Sequence, residues 1–233
     1  MAGLLSPAVK AQAFRPVQQE PSAYELIIAM NTLRMSMGLP ALVEDPIINA
    51  VAQGTAQIMA DNQSSWHIGD VSGRVAAAGY GGGAKVWATE NFAVGATMTI
   101  DEIMVAWSDP SHMIPAVNPA YCHVGAGTAK SANGMTYFVL QAAYVAGKGC
   151  GEYNSPVDGG GTSGGGTNGG GQPRGNPGII VPVKIATPDA DGKIYHIVEA
   201  GQSFWAIAVA YKLTIKDLEI WNNITKDIKL QIG

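Results

Sequence analysis

Between Gly151 and Gly178 nearly half of the residues are glycine, and Ser, Thr, Asn and Pro supply most of the rest. A stretch with so few large apolar side chains cannot bury enough surface to offset the entropy of ordering it. It reads as a flexible tether, and as a free coil its ends would stand roughly 30 Å apart. The 233-residue chain therefore divides into a folded unit over 20–148, a linker with an extended stalk over 149–193, and a small module over 194–233. The stalk portion, Ile179 to Ala186, is apolar but interrupted by Pro182, which suits an extended segment better than a core strand.

Charge and cysteine content narrow the function classes. A formal net charge of −4 argues against a nucleic-acid partner, which would require a basic face. No apolar run reaches the length of a membrane span. Cys122 and Cys150 fit no metal-knuckle spacing. Residues Met1 to Ala13 are mildly apolar and end in a small-x-small pattern, Ala11-Gln12-Ala13, which reads either as the remnant of a cut signal peptide or as an ordinary frayed terminus.

The first unit begins with helices. Pro21-Ser22 opens one in which Leu26, Met30, Leu33 and Met37 recur at helical spacing, until Gly38 and Pro40 stop it. Asp45-Pro46 starts a second, with Ile47, Val51, Gly54 and Ile58 as the expected buried stripe and Gly54 as a point of close helix contact. A short helix carrying Arg74 runs to Gly79-Tyr80. A strand is expected from Lys85 to Phe92, and a capped helix from Thr99 through Trp107. Two strands, His123 to Ala129 and Thr136 to Tyr144, then turn on Asn133-Gly134. This order of elements gives an α/β (α+β) fold of helices packed on a small antiparallel sheet.

Three side chains could do chemistry if the fold gathers them. His67 follows Trp66 in a polar loop, Glu90 lies in the strand, and His112 closes the turn begun at Asp109-Pro110. Two imidazoles and a carboxylate can hold a cation or move a proton near neutral pH. Their separation in sequence leaves the assembly to tertiary structure, and a hydrogen-bonded cluster without chemistry is the alternative.

The ordered set of short motifs resembles the CAP superfamily of SCP-like proteins, which includes plant pathogenesis-related proteins and cysteine-rich secretory proteins. The resemblance spans about Ser22 to Ala146. It rests on Asn31-x-x-Arg34, Gly38-Leu39-Pro40-x-Leu42, His67-x-Gly69, Arg74 with Gly79-Tyr80, Glu90-Asn91 before Gly95, and Trp107 with His112. It continues through Val124-Gly125-Ala126-Gly127 and Tyr137-Phe138-Val139-Leu140-Gln141. It implies an α-β-α sandwich with a central cavity lined by two histidines and two acids. His67, Glu90 and His112 match three of these, and Asp109 is the nearest candidate for the second acid. The same resemblance admits Zn or Mg held by His67 and His112, or a lipid or other small ligand. Cys122 and Cys150 flank the hairpin, and outside the cell a disulfide between them would close it, with a Cα separation that only coordinates can give.

The tail resembles a LysM module, a small βααβ unit, on Tyr195-His196-x-Val198-x-x-Gly201-x-Ser203-x-Trp205-x-Ile207-Ala208 and Leu218-x-x-x-Asn222. Tyr195 to Val198 alternates like a strand, and two short helices follow. The resemblance implies binding of N-acetylglucosamine polymers, peptidoglycan or chitin. The groove would form from Gly201, Gln202, Ser203 and Phe204 on one side and Asn222, Asn223 and Ile224 on the other. Its closing strand is expected beyond Gly233, leaving the module without its last strand.

Aromatic residues read first as core. Trp66, Trp87 and Trp107 are expected to anchor packing rather than to line a ligand groove, and Trp205 and Trp221 to pack helices rather than to stack on sugar. His123 is expected within a strand and His196 exposed at the module's edge. The combination points to a secreted, cell-wall protein whose cavity-bearing domain is tethered by a glycan-binding module. Two other readings stand beside it: a hydrolase using the His67, Glu90 and His112 cavity, with a metal or by acid–base chemistry, and a structural wall protein with no ligand.

Overall fold

Four strands form the sheet around which the first unit is built, in the order β1-β3-β4-β2: β1 (Val43–Glu44), β2 (Val86–Gly95), β3 (His123–Lys130) and β4 (Thr136–Val145). The computed structural model describes residues 20–153, 183–199, 202, 204–213 and 215–223. The N-terminal signal-remnant reading, nearly all of the glycine-rich tether and residues 224–233 lie outside them.

The long strands β2, β4 and β3 are antiparallel, as the sequence leads one to expect. The sheet departs from a purely antiparallel one at a single edge, where the two residues of β1 pair parallel to β3, Val43 with His123 and Glu44 with Val124. The β3–β4 turn closes on Ser131 and Met135, with Gly134 in the left-handed region at φ 86°.

Nearly every residue of β4 is buried, which requires cover on both sheet faces. On one face Phe138, Leu140 and Ala142 pack with α1 (Ala23–Ser36) and with α4 (Ile100–Ala106) through Ile103 and Met104. On the other face Tyr137, Val139 and Ala143 meet α2 (Pro46–Asn62), while α3 (Val71–Ala77) covers β2. The result is helix, sheet, helix: an α-β-α sandwich.

Helix starts follow local chemistry. Ser22 caps α1 and Thr99 caps α4, each with a reciprocal glutamate three residues on, and Asp45 caps α2 ahead of Pro46. The buried face of α2 keeps Ile47 and, partly buried, Val51 of the expected stripe but departs from it at Gly54 and Ile58. Ile48, Ala52, Thr55, Ala56 and Met59 face the sheet, whereas Ile58 is exposed. Gly54 faces open space, and a Cβ there would meet nothing within 4 Å. The close approach comes from the strand instead. A Cβ on Gly125 or Gly127 of β3 would fall within 3.0 Å of backbone atoms of Asn49 or Gln53. Small residues on both partners let helix and sheet touch, and of the large aliphatics of α2 Ile47 and Ile48 lie inside while Ile58 lies outside.

Two of the three tryptophans expected in the core are outside it. Trp107 is 1% exposed and donates from Nε1 to the Phe92 carbonyl at 2.9 Å, but Trp66 is 71% and Trp87 46% exposed. Arg34 is buried with its guanidinium on the carbonyls of Pro40, Pro115, Asn118 and Tyr121, which ties α1 to the segment after His112. That segment includes the short helix α5 (Ile114–Val117).

The first unit is packed as far as Tyr153, which stacks edge-on to Tyr80 and His123. Cys150 is joined to Cys122 by a disulfide with a Cα–Cα distance of 5.2 Å.

In the tail, α6 (Phe204–Ala210) and α7 (Ile215–Trp221) are the two expected helices. Val183 is buried with Ala206 and Ile207, so this part of the stalk belongs to the module's small core. Tyr195 to Val198 is extended but has no ladder partner among the described residues, and it is therefore not a strand there. Trp221 is exposed rather than packed.

Candidate functional site

Strand β2 is the sheet edge on which the site is built. Alternation along it directs Glu90 and Phe92 toward the α2 and α3 side, and Asn91 toward the α4 side. The cross-strand register sets Glu90 opposite Gln141 of β4. The Gln141 amide donates to Glu90 Oε2 at 2.7 Å, and contacts Thr55 Oγ1 of α2 at 3.3 Å.

Glu90 is almost wholly buried and is held by three donors. Arg74 of α3 pairs with its Oε2 at 2.6 Å, in addition to the Gln141 amide. His67 Nδ1 lies 2.8 Å from its Oε1. A carboxylate can only accept, so His67 Nδ1–H donates to Glu90, and the neutral tautomer this selects carries its free lone pair on Nε2. His67 is partly exposed and its ring packs edge-on against Phe92.

His112 arrives from the other side of the strand. Its backbone carbonyl accepts from Asn91 Nδ2 at 2.7 Å. Its ring stacks on that of His67, with centroids 6.4 Å apart and planes 25° from parallel. The Nδ1 of His112 is hydrogen-bonded to Asp109 Oδ2, and Asp109 Oδ1 accepts from the Ser111 and His112 amides. The His112 hydrogen bond is the chief reason that the Asp109 carboxyl titrates below its ordinary value.

His67, Glu90 and His112 thus lie in one cluster, and Asp109 joins it through His112 rather than through Glu90. The arrangement is two carboxylate–imidazole pairs side by side, each leaving Nε2 for an external partner. Arg74 and Gln141 belong to the site as well, although sequence reasoning used them only as motif residues. A signal was there for Gln141, a lone amide inside the apolar run Tyr137 to Val145, which must find a polar partner once buried.

A metal centre fits poorly. Among the described residues no group of three or more His, Cys, Asp or Glu side chains is disposed to hold a metal ion. Both oxygens of Glu90 are taken by protein donors, which leaves His67 and His112 as two ligands without a third.

A second polar cluster lies within the core. Tyr80 Oη is 2.8 Å from His123 Nδ1, and burial pushes the Tyr80 phenol upward. Burial lowers His123, with nearby Asp45 opposing that shift. His123 is in β3 as expected.

The model of the cysteine-rich secretory protein (CAP) family matches residues 27–144, just over half of the chain. The chain belongs to this family. A LysM model matches residues 196–233, so the CAP domain is followed by a LysM domain.

Solved structures similar to the chain include an outer surface protein of Borrelia burgdorferi. It is 22% identical with a TM-score of 0.44, and the match covers 50% of this chain and 86% of that one. An extracellular SCP-domain protein of Bacillus anthracis is 22% identical at TM-score 0.38, over 49% of this chain and 37% of its own. A cysteine-rich secretory protein of Staphylococcus aureus is 19% identical at TM-score 0.41, over 56% and 41%. No curated protein matches the chain.

In the LysM domain, Gly201, Ser203 and Ile224 lie outside the described residues. Gln202 accepts from His196 Nε2 and the Glu199 amide, and His196 also meets Tyr211 Oη. His196 is therefore a half-buried bridge rather than an exposed edge residue. Phe204 is buried, which makes it packing rather than open groove. Asn222 bonds back to the Leu218 carbonyl at the end of α7, and Asn223 adopts a left-handed conformation at φ 51°. No helix among the described residues is long and apolar enough to cross a membrane.

Proposed function

We propose that this is a secreted, cell-wall-associated protein whose LysM module holds a polymer of N-acetylglucosamine while the CAP domain offers its two-imidazole cleft to a small ligand. The observation that carries the reading is the pairing of CAP and LysM domains in one chain, on either side of a glycine-rich stretch. LysM domains generally bind peptidoglycan or chitin, and a weak module on a leash keeps its cargo concentrated at the surface it grips. The Cys122–Cys150 disulfide suits an oxidising compartment. The test is co-sedimentation with insoluble peptidoglycan and chitin. The full chain pellets and a fragment ending at Tyr153 stays in solution; equal pelleting of the two would remove the reading.

A second reading, acid–base hydrolysis, is favoured by the two carboxylate–imidazole pairs. One Nε2 would take a proton from water and the other, protonated, would give one to the leaving group. Glu90 would then orient His67 rather than attack. Hydrolysis of wall fragments, peptides or lipid esters should disappear in both His67→Ala and His112→Ala; activity surviving both substitutions would exclude the cluster as the catalyst. A purely structural role predicts calorimetric silence toward zinc, magnesium, sterols and wall fragments alike.

A further inference from the structure

Helix α1 is buried on two sides. Leu26, Met30 and Leu33, at i, i+4 and i+7, form the stripe that packs in the core with Phe138 and Leu140 of the sheet. Ile28, Thr32 and Met35 repeat that spacing about 200° round the helix, on the side where a surface helix ordinarily meets water. Thr32 is nevertheless wholly buried, and Ile28 and Met35 are partly buried. A second buried stripe needs a second layer. Helices α4 and α5 do not account for it: Ile103 and Met104 of α4 join the inner stripe, and Pro115 of α5 meets Arg34 at the end of the helix. Helix α6 of the LysM domain lies against both α1 and α4.

Burial on α6 is two-sided as well. Ala206, Ile207 and Ala210 pack with Val183 and Leu218 in the module's own core. Phe204 and Ala208, one turn apart on another face, are also buried but have no place in that core. Helix α7 reaches α6 through Leu218, in the core cluster, which leaves α1 and α4 for the Phe204–Ala208 side. Side chains as small as Thr32 and Ala208 let two helices approach closely. The length of the connection does not press the domains together, because residues 154–182 could reach about 95 Å when fully extended.

We infer that the outer face of α1, with α4 beside it, is a docking surface for the LysM domain of the same chain, and that the Phe204–Ala208 side of α6 is seated on the Ile28, Thr32 and Met35 stripe. The patch is small and would be weak between separate molecules. Within one chain a linker supplies a millimolar effective concentration, and the cost of closing a longer loop grows only slowly, so modest affinity is enough to keep the pair closed. Docking fixes where the CAP cleft stands relative to whatever the module grips, and it does not depend on what that is.

The experiment is NMR on the full chain. In 15N relaxation the CAP and LysM amides should report one rotational correlation time, and methyl NOEs should link Ile28 or Thr32 to Phe204 or Ala208. LysM amides tumbling about twofold faster than CAP amides, or an absence of those NOEs, would overturn the inference. Thr32→Arg sets a charge on the α1 side of the seat and Ala208→Arg on the α6 side. Each should release the module, shortening the LysM correlation time about twofold while the CAP value changes little. If both variants keep their amide dispersion and neither releases the module, α6 is not what holds it and the assignment falls. A variant that unfolds its own domain is set aside for the other one and for the NOEs of the parent chain, which decide by themselves. A molecular mass that doubles with concentration, with the same NOEs, would mean that α6 is exchanged between two copies, and would overturn the seat within one chain.

Discussion

His67 and His112 face one another with ring centroids 6.4 Å apart, each with its Nδ1 on a carboxylate of a different element: Glu90 in β2 and Asp109 in the turn before His112. The two pairs differ in support. Glu90 is enclosed in the sandwich with Arg74 and Gln141, while Asp109 is half exposed in its own turn.

Arg74→Ala should therefore be the most damaging change near the site. It leaves the Glu90 carboxylate buried without its cation, and a broken buried pair costs about 3 kcal/mol. Urea unfolding should show this loss. The double variant Arg74→Ala with Glu90→Gln should recover part of it, because no charge is then left stranded; a loss under about 1 kcal/mol in the single variant would mean that the pair is solvent-screened.

Glycine substitutions should separate the two sides of the α2–sheet contact. Gly54→Ala lies in an exposed helix interior with space for a methyl and should stabilise by about 0.5–1 kcal/mol. Gly125→Ala presses a methyl into the α2 backbone near Asn49 and should destabilise by about 2–3 kcal/mol. Equal effects of the two in thermal melts would contradict the packing described.

The buried His123 should make the fold acid-sensitive. Its folded-state value is lowered by burial among Tyr80 and Tyr153, against the opposing pull of Asp45. The unfolded chain takes up a proton at the ordinary imidazole value of about 6.5. Stability should thus be full above that pH and fall as pH drops from there toward the folded-state value. His123→Gln should show a smaller loss between pH 7.5 and 5.5 than the parent in parallel urea titrations. Identical slopes would place the acid sensitivity elsewhere.

The disulfide spans a sequence separation of 28 and encloses the β3–β4 hairpin. Loop-closure entropy for that length amounts to about 3.5 kcal/mol. Cys122→Ser with Cys150→Ser should lower the unfolding free energy by an amount of that order. Cys150 also leads directly to Tyr153, so hydrogen exchange should rise first at residues 149–153, which lose their covalent tie to β3.

Much of this architecture was legible because it depends on neighbours in the chain. Ser22 with Glu25, Asp45 with Pro46, and Thr99 with Glu102 each satisfy helix-end amides within a few residues, and Asn133-Gly134 meets the demands of a tight turn locally. The inner face of α2 was not legible in the same way. Its contact with β3 is made by Ala52, Ala56 and the strand glycines, so the large side chain Ile58 pointed the wrong way round the helix.

The site divides along the same line. The sequence alone determined which side chains were available: two imidazoles, a glutamate, a nearby aspartate, and a small tail module joined through glycine. Only the tertiary structure decided that Gln141 would lie opposite Glu90, that Arg74 would neutralise it, that Asp109 would serve His112, and that Trp66 would stand outside while Trp107 went in. Caps and turns are local hydrogen bonds a few residues long. Strand register and helix rotation are instead settled by packing between segments tens of residues apart, where a single residue of slip reverses which face a side chain joins.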